Sequence, residues 1–315
     1  MKYTSEITDG ILELHNQGYS SRQIAVELNI SKSGVNDFLK RVRNGEHIDW
    51  GIPETRPKIL IFDLETSAAE VLAFGRNKQF ISDDSVLKEG GKILTAAWKW
   101  LGEEQTEFFG DLNEVVQGSD ETVTAVLWDL FNEADAVVAH NALNFDVKVL
   151  RTRCLTNGLP PLPTVKILDT LVMAKRNFRF PTNRLNTLAQ YLGFGEKVDT
   201  GGISLWRDVQ SGDPEAFLKM IEYNIQDVVL LEKVYLALRS YGHAGSTFNQ
   251  GHYHTGKAVC PVCGSEDLEK TGRVVSTAVS LFEEIRCGGC GAVHRTRQAV
   301  NTREERSKLT VPILN

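Results

Sequence analysis

The 315 residues are 42% hydrophobic and 24% charged, an ordinary soluble globular composition with room for one sizeable core and one or two small modules. No apolar run approaches the ~20 residues of a membrane helix, and the opening "MKYTSEITDG" has no signal pattern, so the cytoplasm is expected and a membrane partner is not. The net charge of −6 is uneven: residues 1–45 carry +1 and residues 256–315 carry +2, leaving an acidic middle that suits a carboxylate-based metal site.

In chain order, Ile11 and Leu14 predict a short helix stopping near Gly18. Ser20 or Ser21 caps a second helix with the apolar face Ile24, Ala25 and Leu28. After a tight turn, Ser31 caps a third helix carrying Val35, Phe38, Leu39 and Val42. Residues 1–45 thus read as a helix-turn-helix, and the pattern resembles that of site-specific recombinases and small regulators. The resemblance implies that Lys32, Ser33 and Asn36 face a DNA groove while Lys40, Arg41 and Arg43 meet phosphate. A helical bundle docked on its own protein is the alternative. Residues 46–57, with Pro53 and Pro57 and no periodicity, are expected to be a linker.

From 58 to 242 the pattern is that of an α/β domain. "KILIFDLE", "KILTAAWKWL" and "EQTEFFG" predict three early strands. The helix "SDETVTAVLWDLFNEA" and the strand "DAVVAHN" follow, then the helix "FDVKVLRTRCLTNG" and the strand "TVKILDT". Helical segments over 185–192 and 214–239 close the domain, and 66–91 is an insertion of no predicted structure. This order predicts a ribonuclease-H-like mixed sheet flanked by helices.

Asp63 and Glu65 are two apart on a strand and therefore share a face. Two like charges that close repel unless a proton or a cation lies between them. Asp146 begins a helix just after a strand, and Asp227 follows Tyr223 by four residues on the last long helix, the spacing of a shared face. These residues resemble the three ordered motifs of the DEDD 3′→5′ exonucleases, the superfamily of polymerase proofreading domains and RNase D: Asp63-x-Glu65, Asn141-x(3)-Phe145-Asp146 and Tyr223-x(3)-Asp227. Glu222 stands where the histidine branch has its His, so the tyrosine branch is the match. "EGGKILTAAWKWLGE" and "RLNTLAQYLGFGEK" also resemble stand-alone exonuclease-like proteins of phage genomes.

The resemblance implies two Mg2+ or Mn2+ ions held by Asp63, Glu65, Asp146 and Asp227, with Asp63 bridging and Tyr223 orienting the attacking water. His140 reads as structural and Asp169 as a helix N-cap, while Asn141 either bonds near the scissile end or makes a turn. In "KRNFRFPTNR", Lys175, Arg176, Arg179 and Arg184 interleave with Phe178 and Phe180; this is either a single-strand contact surface, chiefly through Arg176 and Arg179, or a solvated loop with buried phenylalanines.

Cys260-x-x-Cys263 and Cys287-x-x-Cys290 are two knuckles whose four thiolates suit one structural Zn2+, and with strand-like flanks residues 256–300 read as a zinc ribbon. Arg273, Arg286, Arg295 and Arg297 touch nucleic acid or serve docking; Cys154 reads as core, and 301–315 as a tail. The function expected is a metal-dependent 3′→5′ exonuclease releasing 5′-mononucleotides, acting on DNA (a single-stranded 3′ end or a duplex) in preference to RNA. A replication or recombination protein is a conceivable partner. The rival readings are an exoribonuclease of the RNase D type, a transposase-like enzyme and a catalytically silent DNA-binding protein on the same fold.

Overall fold

The computed structural model describes residues 5–43, 56–75, 80–197, 199–242, 248–254 and 257–311. At the N-terminus, α1 (Ser5–Asn16), α2 (Ser21–Glu27) and α3 (Lys32–Arg43) turn their apolar stripes onto one small core of Ile11, Ile24, Val35, Phe38 and Leu39. Ser20 begins α2, its N–H donating to Gln23 Oε1, and Ser31 Oγ accepts from the Gly34 N–H at the start of α3. Asn29 takes φ 51° in the turn between α2 and α3, a left-handed conformation that asparagine tolerates. Lys32, Ser33, Asn36 and Lys40 are exposed on α3. The side chains of Arg41 and Arg43, and most of the expected linker, lie outside the described residues.

The central domain runs β1 (Ile59–Thr66), β2 (Glu70–Val71), β3 (Val86–Lys88), β4 (Ile93–Trp100), β5 (Glu107–Phe109), α4 (Leu112–Gln117), α5 (Glu121–Glu133), β6 (Ala136–Ala139), α6 (Asp146–Thr156), β7 (Lys166–Asp169), α7 (Thr170–Asn177), α8 (Leu185–Tyr191), α9 (Ser204–Gln210) and α10 (Pro214–Leu238). The main sheet has the order β5-β4-β1-β6-β7; β5, β4 and β1 are antiparallel, and β1, β6 and β7 parallel. Alternation along β1 sends Ile59 and Ile61 into the core under α7, α8 and α10. Leu60, Phe62 and Leu64 enter the opposite core with α5 and α6. The ribonuclease-H-like mixed α/β arrangement expected from the sequence is the one observed.

Two buried ion pairs tie the layers together. Arg153 on α6 grips Asp120 at the head of α5 through Nε and Nη2, at 2.6 and 2.8 Å, while Asp120 also accepts the Ile93 N–H of β4. Lys99 on β4 meets Glu232 on α10 at 2.6 Å. The unpredicted elements are short: α4 and α9 have six and seven residues, too few for a helical period to register. The insertion at 66–91 contains the hairpin β2–β3.

After α10, Phe248 packs on the α8–α10 core, and the Tyr253 hydroxyl donates to Asp135, just before β6. Gln250 then holds the C-terminal module, its N–H donating to Pro261 O and its Nε2 to Val262 O. That module is a three-stranded antiparallel sheet, order β10-β9-β8, of β8 (Leu268–Thr277), β9 (Ser280–Cys287) and β10 (Val293–Arg295). The sequence reading missed β8, whose side chains are mostly exposed and so carry little apolar alternation. The expected tail from 301 is a correction: α11 (Arg303–Ser307) folds behind the Thr302 cap. Asn301 accepts the Leu281 N–H and donates to Val279 O, which ties this segment to β9.

Candidate active site

Asp63 and Glu65 stand at the C-terminal end of β1, and α10 crosses that end to bring Asp227 against them. Carboxylate oxygens of Asp63, Glu65 and Asp227 all lie within 4.8 Å of one another. Asp146, nearly fully buried at the start of α6, accepts the Leu64 N–H and lies close enough for its charge to raise Asp63. The structure thus brings the four sequence-predicted carboxylates together, with Tyr223 hydrogen-bonded to Asp227 one helical turn away.

The cluster carries more negative charge than its surroundings offset. Burial, then the charges of Asp227, Asp146 and Glu65, holds Asp63 well above the usual carboxylate range. Burial, then Asp227, pushes Glu65 up to about 8, and burial pushes Asp146 up to about 7. Asp227 is raised as well, again chiefly by burial. Its Oδ1 is buried with no hydrogen-bond partner among the described residues. A buried, unpartnered carboxylate oxygen facing two other acids is what a cation would satisfy. The donors are all oxygens, the set that Mg2+ and Mn2+ prefer, so the residues present fit the expected metals.

One cation is already built in, and the sequence reading overlooked it. Lys197 Nζ pairs with Asp227 Oδ2 and lies 3.1 Å from the Tyr223 hydroxyl. Burial alone would lower the ammonium, but Asp227 more than offsets it and the Lys197 pKa is raised. Burial, then Asp227, pushes Tyr223 up to about 12, so its hydroxyl keeps its proton near neutrality.

Two further residues hold the acids in place. Asn224, fully buried on α10, donates from Nδ2 to Asp63 Oδ2 at 2.8 Å, while its Oδ1 accepts from Thr95 on β4 at 3.2 Å. The Trp206 side chain on α9 hydrogen-bonds Glu65 and packs edge-on against Tyr223. Asn224 had a legible signal, three residues before Asp227 on the same helix face; Lys197 and Trp206 had none, because a loop and a short helix carry them.

An open cleft of about 680 Å3 runs from Asp63 past His140, Asn141, Lys175, Arg184 and Lys197. His140 is structural, as expected: Nδ1 lies 2.9 Å from Thr170 Oγ1 and Nε2 2.9 Å from Asn183 O. Burial lowers its pKa. Asn141 lines the cleft and also makes the turn, at φ 71°. Asp169 caps α7, as expected, but it also accepts the N–H groups of Asn141 and Leu143. It thereby stitches the turn leading to Asp146. Of the basic run, Lys175 and Arg184 face this cleft, whereas Arg176 lines a separate depression beside Asp169 and Arg179 is exposed. Phe178 and Phe180 are partly buried against the core and pack edge-on against Tyr241 and Tyr191 respectively.

The four module cysteines form a second cluster, again with one atom each within 4.8 Å. Sγ of Cys260 lies 3.7 Å from that of Cys290, and Sγ of Cys263 lies 3.6 Å from that of Cys287. A tetrahedron with Zn–S bonds of ~2.3 Å has edges of ~3.8 Å, so the thiols fit Zn2+. Backbone N–H groups of Cys290 and Gly289 help to lower Cys287 to about 7 against the opposing effect of burial. His294, unremarked in the sequence reading, places Nε2 3.2 Å from Cys260 Sγ. Cys154 is buried in the α5–α6 core, as expected.

A family comparison agrees with this architecture. Residues 87–239 match a family described as the RNase_H superfamily, a span that contains Asp146, Tyr223 and Asp227. Over 138 residues the chain is 27% identical to the DNA polymerase III PolC-type of Ureaplasma parvum serovar 3; the match covers 42% of this chain and 9% of that far longer protein. A family B DNA polymerase from the hyperthermophilic archaeon Pyrobaculum calidifontis is 16% identical, with a TM-score of 0.43 over 59% of this chain and 26% of that one. The family match falls on the domain whose mixed α/β sheet is of the ribonuclease-H type. Among the described residues no helix is long and apolar enough to cross a membrane.

Proposed function

We propose that the protein is a metal-dependent 3′→5′ exonuclease that shortens nucleic acid, DNA in preference to RNA, and releases 5′-mononucleotides. The observation that carries the reading is the convergence of Asp63, Glu65 and Asp227 within 4.8 Å around a buried, unpartnered Asp227 oxygen. Asp63, Glu65, Asp146 and Asp227 would hold two Mg2+ or Mn2+ ions, which supply a water activated near neutral pH and compensate the charge growing on the phosphate.

The chain's own side chains do the positioning. Asn224 and Trp206 orient Asp63 and Glu65 before any substrate arrives. Tyr223, protonated with its pKa near 12, directs the attacking water by hydrogen bonding and does not act as a base. Lys175 and Arg184 line the path of the strand entering the cleft and balance its phosphates.

The terminal modules then place the enzyme on its substrate. In this reading α3 enters a DNA groove with Lys32, Ser33 and Asn36, supported at phosphate by Lys40, Arg41 and Arg43. The module at 256–300 is a zinc ribbon folded around one Zn2+. In this reading the protein works as the stand-alone exonuclease-like proteins of phage genomes that its sequence resembles, with a replication or recombination protein alongside it in the cytoplasm.

The test is an end-label assay with Mn2+, comparing wild type with Asp63→Ala on matched single-stranded DNA and RNA. A ladder of mononucleotide steps from the 3′ end, abolished by the substitution, is expected, with DNA degraded faster. Faster degradation of RNA would move the reading to an exoribonuclease. Binding without cleavage of either strand would leave a silent scaffold.

A further inference from the structure

The two cysteine knuckles are built alike. In the first, the Gly264 N–H donates to Cys260 O and the Cys260 N–H to Ser265 O; in the second, the Gly291 N–H donates to Cys287 O and the Cys287 N–H to Ala292 O. The N–H groups two and three residues further on turn onto the leading sulfur, from Val262 and Cys263 onto Cys260 and from Gly289 and Cys290 onto Cys287. Local backbone therefore serves the two leading sulfurs in the same way.

The likeness ends seven residues after each leading cysteine, where the chain places Asp267 in one case and His294 in the other. Both residues reach across to the opposite knuckle. Asp267 O accepts the Gly288 N–H, and its carboxylate occupies the space a Cβ on Gly288 would need. His294 reaches the other way and sets Nε2 3.2 Å from Cys260 Sγ. The pairing of β10 with β9 brings it there: His294 stands opposite Ile285, two residues before Cys287, and so shares the sheet face of Cys287. One cross-contact is a carboxylate against backbone. The other is an imidazole against a fully buried sulfur.

That makes five donors beside a metal that takes four. Each ligand of a tetrahedral site lies one edge from the other three, ~3.8 Å between sulfurs. The group in which every donor atom lies within 4.8 Å of all the others holds the four sulfurs and not His294. His294 is thus close to one corner and stands outside the tetrahedron. Four thiolates around one Zn2+ leave two net negative charges, and burying them is costly unless N–H groups meet the sulfurs. A metal-bound thiolate has no hydrogen to give, so in this contact Nε2 must be the donor.

We propose that His294 is a positioning residue of the zinc centre: its Nε2–H donates to Cys260 Sγ, relieves the charge on that buried thiolate and ties β10 to the first knuckle. The proposal rests on the zinc reading of the module and deepens it by naming the side chain that sets how tightly the metal is held. The knuckle fold itself does not call for an imidazole, since the matching position of the other knuckle carries Asp267.

The experiment loads the full chain with 113Cd2+ in place of Zn2+ and looks by NMR for a coupling between the His294 Nε2 proton and the metal, carried through Cys260 Sγ. The coupling is expected in wild type, and its absence would overturn the proposal. Zinc affinity, from competition with a chromogenic chelator, is then compared between wild type, His294→Gln, which keeps a side-chain N–H, and His294→Phe, which keeps a ring without one. His294→Phe is expected to bind zinc about 10–100-fold more weakly, the usual loss for an outer partner of a metal ligand, with His294→Gln close to wild type. No loss in His294→Phe, or equal losses in both variants, would overturn the proposal. With Co2+ the sulfur-to-metal charge-transfer band is expected to report four thiolates in wild type and in both variants. A band reporting three thiolates in wild type would make His294 a ligand and overturn its outer role. Should His294→Phe fail to fold, the 113Cd2+ coupling and His294→Gln still decide. A wild type that takes up neither zinc nor Co2+ at the cysteines would remove the zinc reading itself, and the proposal with it.

Discussion

The two candidate metal centres in this chain solve the same problem from opposite directions. The carboxylates sit at the end of a sheet whose two faces are already packed, with Phe62, Leu127, Phe131 and Leu150 on one side and Leu188, Leu231 and Val234 on the other. The cysteines sit in a module whose buried cluster is Cys260, Val262, Cys287 and Ala292, so two of the four buried residues are themselves candidate ligands. In the first case the fold holds the ligands; in the second the ligands stand in for the core. Removing metal should therefore silence one region and unfold the other.

Chelation supplies the largest contrast. Treatment with a strong zinc chelator, or Cys260→Ser, is expected to abolish amide-exchange protection across 260–295 while β1, β4 and α10 keep theirs; loss of protection throughout would break the comparison. Next comes the frame around the acids. Arg153→Met leaves Asp120 buried without its cation, and unfolding in urea should show a loss of about 3–5 kcal/mol, as for other broken buried pairs. A loss near zero would mean that the α5–α6 layer is held by packing alone.

A smaller effect tests the bonds that aim the acids. Asn224→Ala should weaken Mn2+ binding, followed by electron paramagnetic resonance, about 10–100-fold, since outer partners of metal ligands usually matter to that extent. The mildest test is pH. Glu65 rises from 4.5 to about 8 and Asp146 from 3.8 to about 7, so the metal-free fold binds more protons than the unfolded chain. Stability from these groups is complete below about pH 4 and is lost as pH rises towards 8. Thermal melts in EDTA should fall across that window, and Mg2+ should reverse the fall. A melt that instead rises with pH would show that Lys197 alone balances the cluster.

The residues that were legible in advance share a property: the chain near them sets their geometry. The alternation of β1 puts Asp63 and Glu65 on one face, and the helical turn puts Tyr223 beside Asp227. A CxxC knuckle places its two thiols by its own local turn. The residues that were not legible depend on distant segments. Lys197 reaches Asp227 across 30 positions, and Trp206 reaches back from α9 to Glu65 on β1. Asp169 looked like a simple cap because nothing in "ILDT" reveals that the 141–143 turn will fold back onto it.

By itself, then, the sequence determined the order of the principal strands and helices of the central domain, the three acidic motifs and the paired cysteines, because backbone periodicity and tight turns act over a few residues. Tertiary structure alone decided which cation lies on Asp227, which basic residues face the cleft, that Phe178 and Phe180 turn inward and that Phe74 and Phe80 do not. Those outcomes depend on which surfaces are left to pack once the sheet has formed, and no local pattern in the chain encodes that.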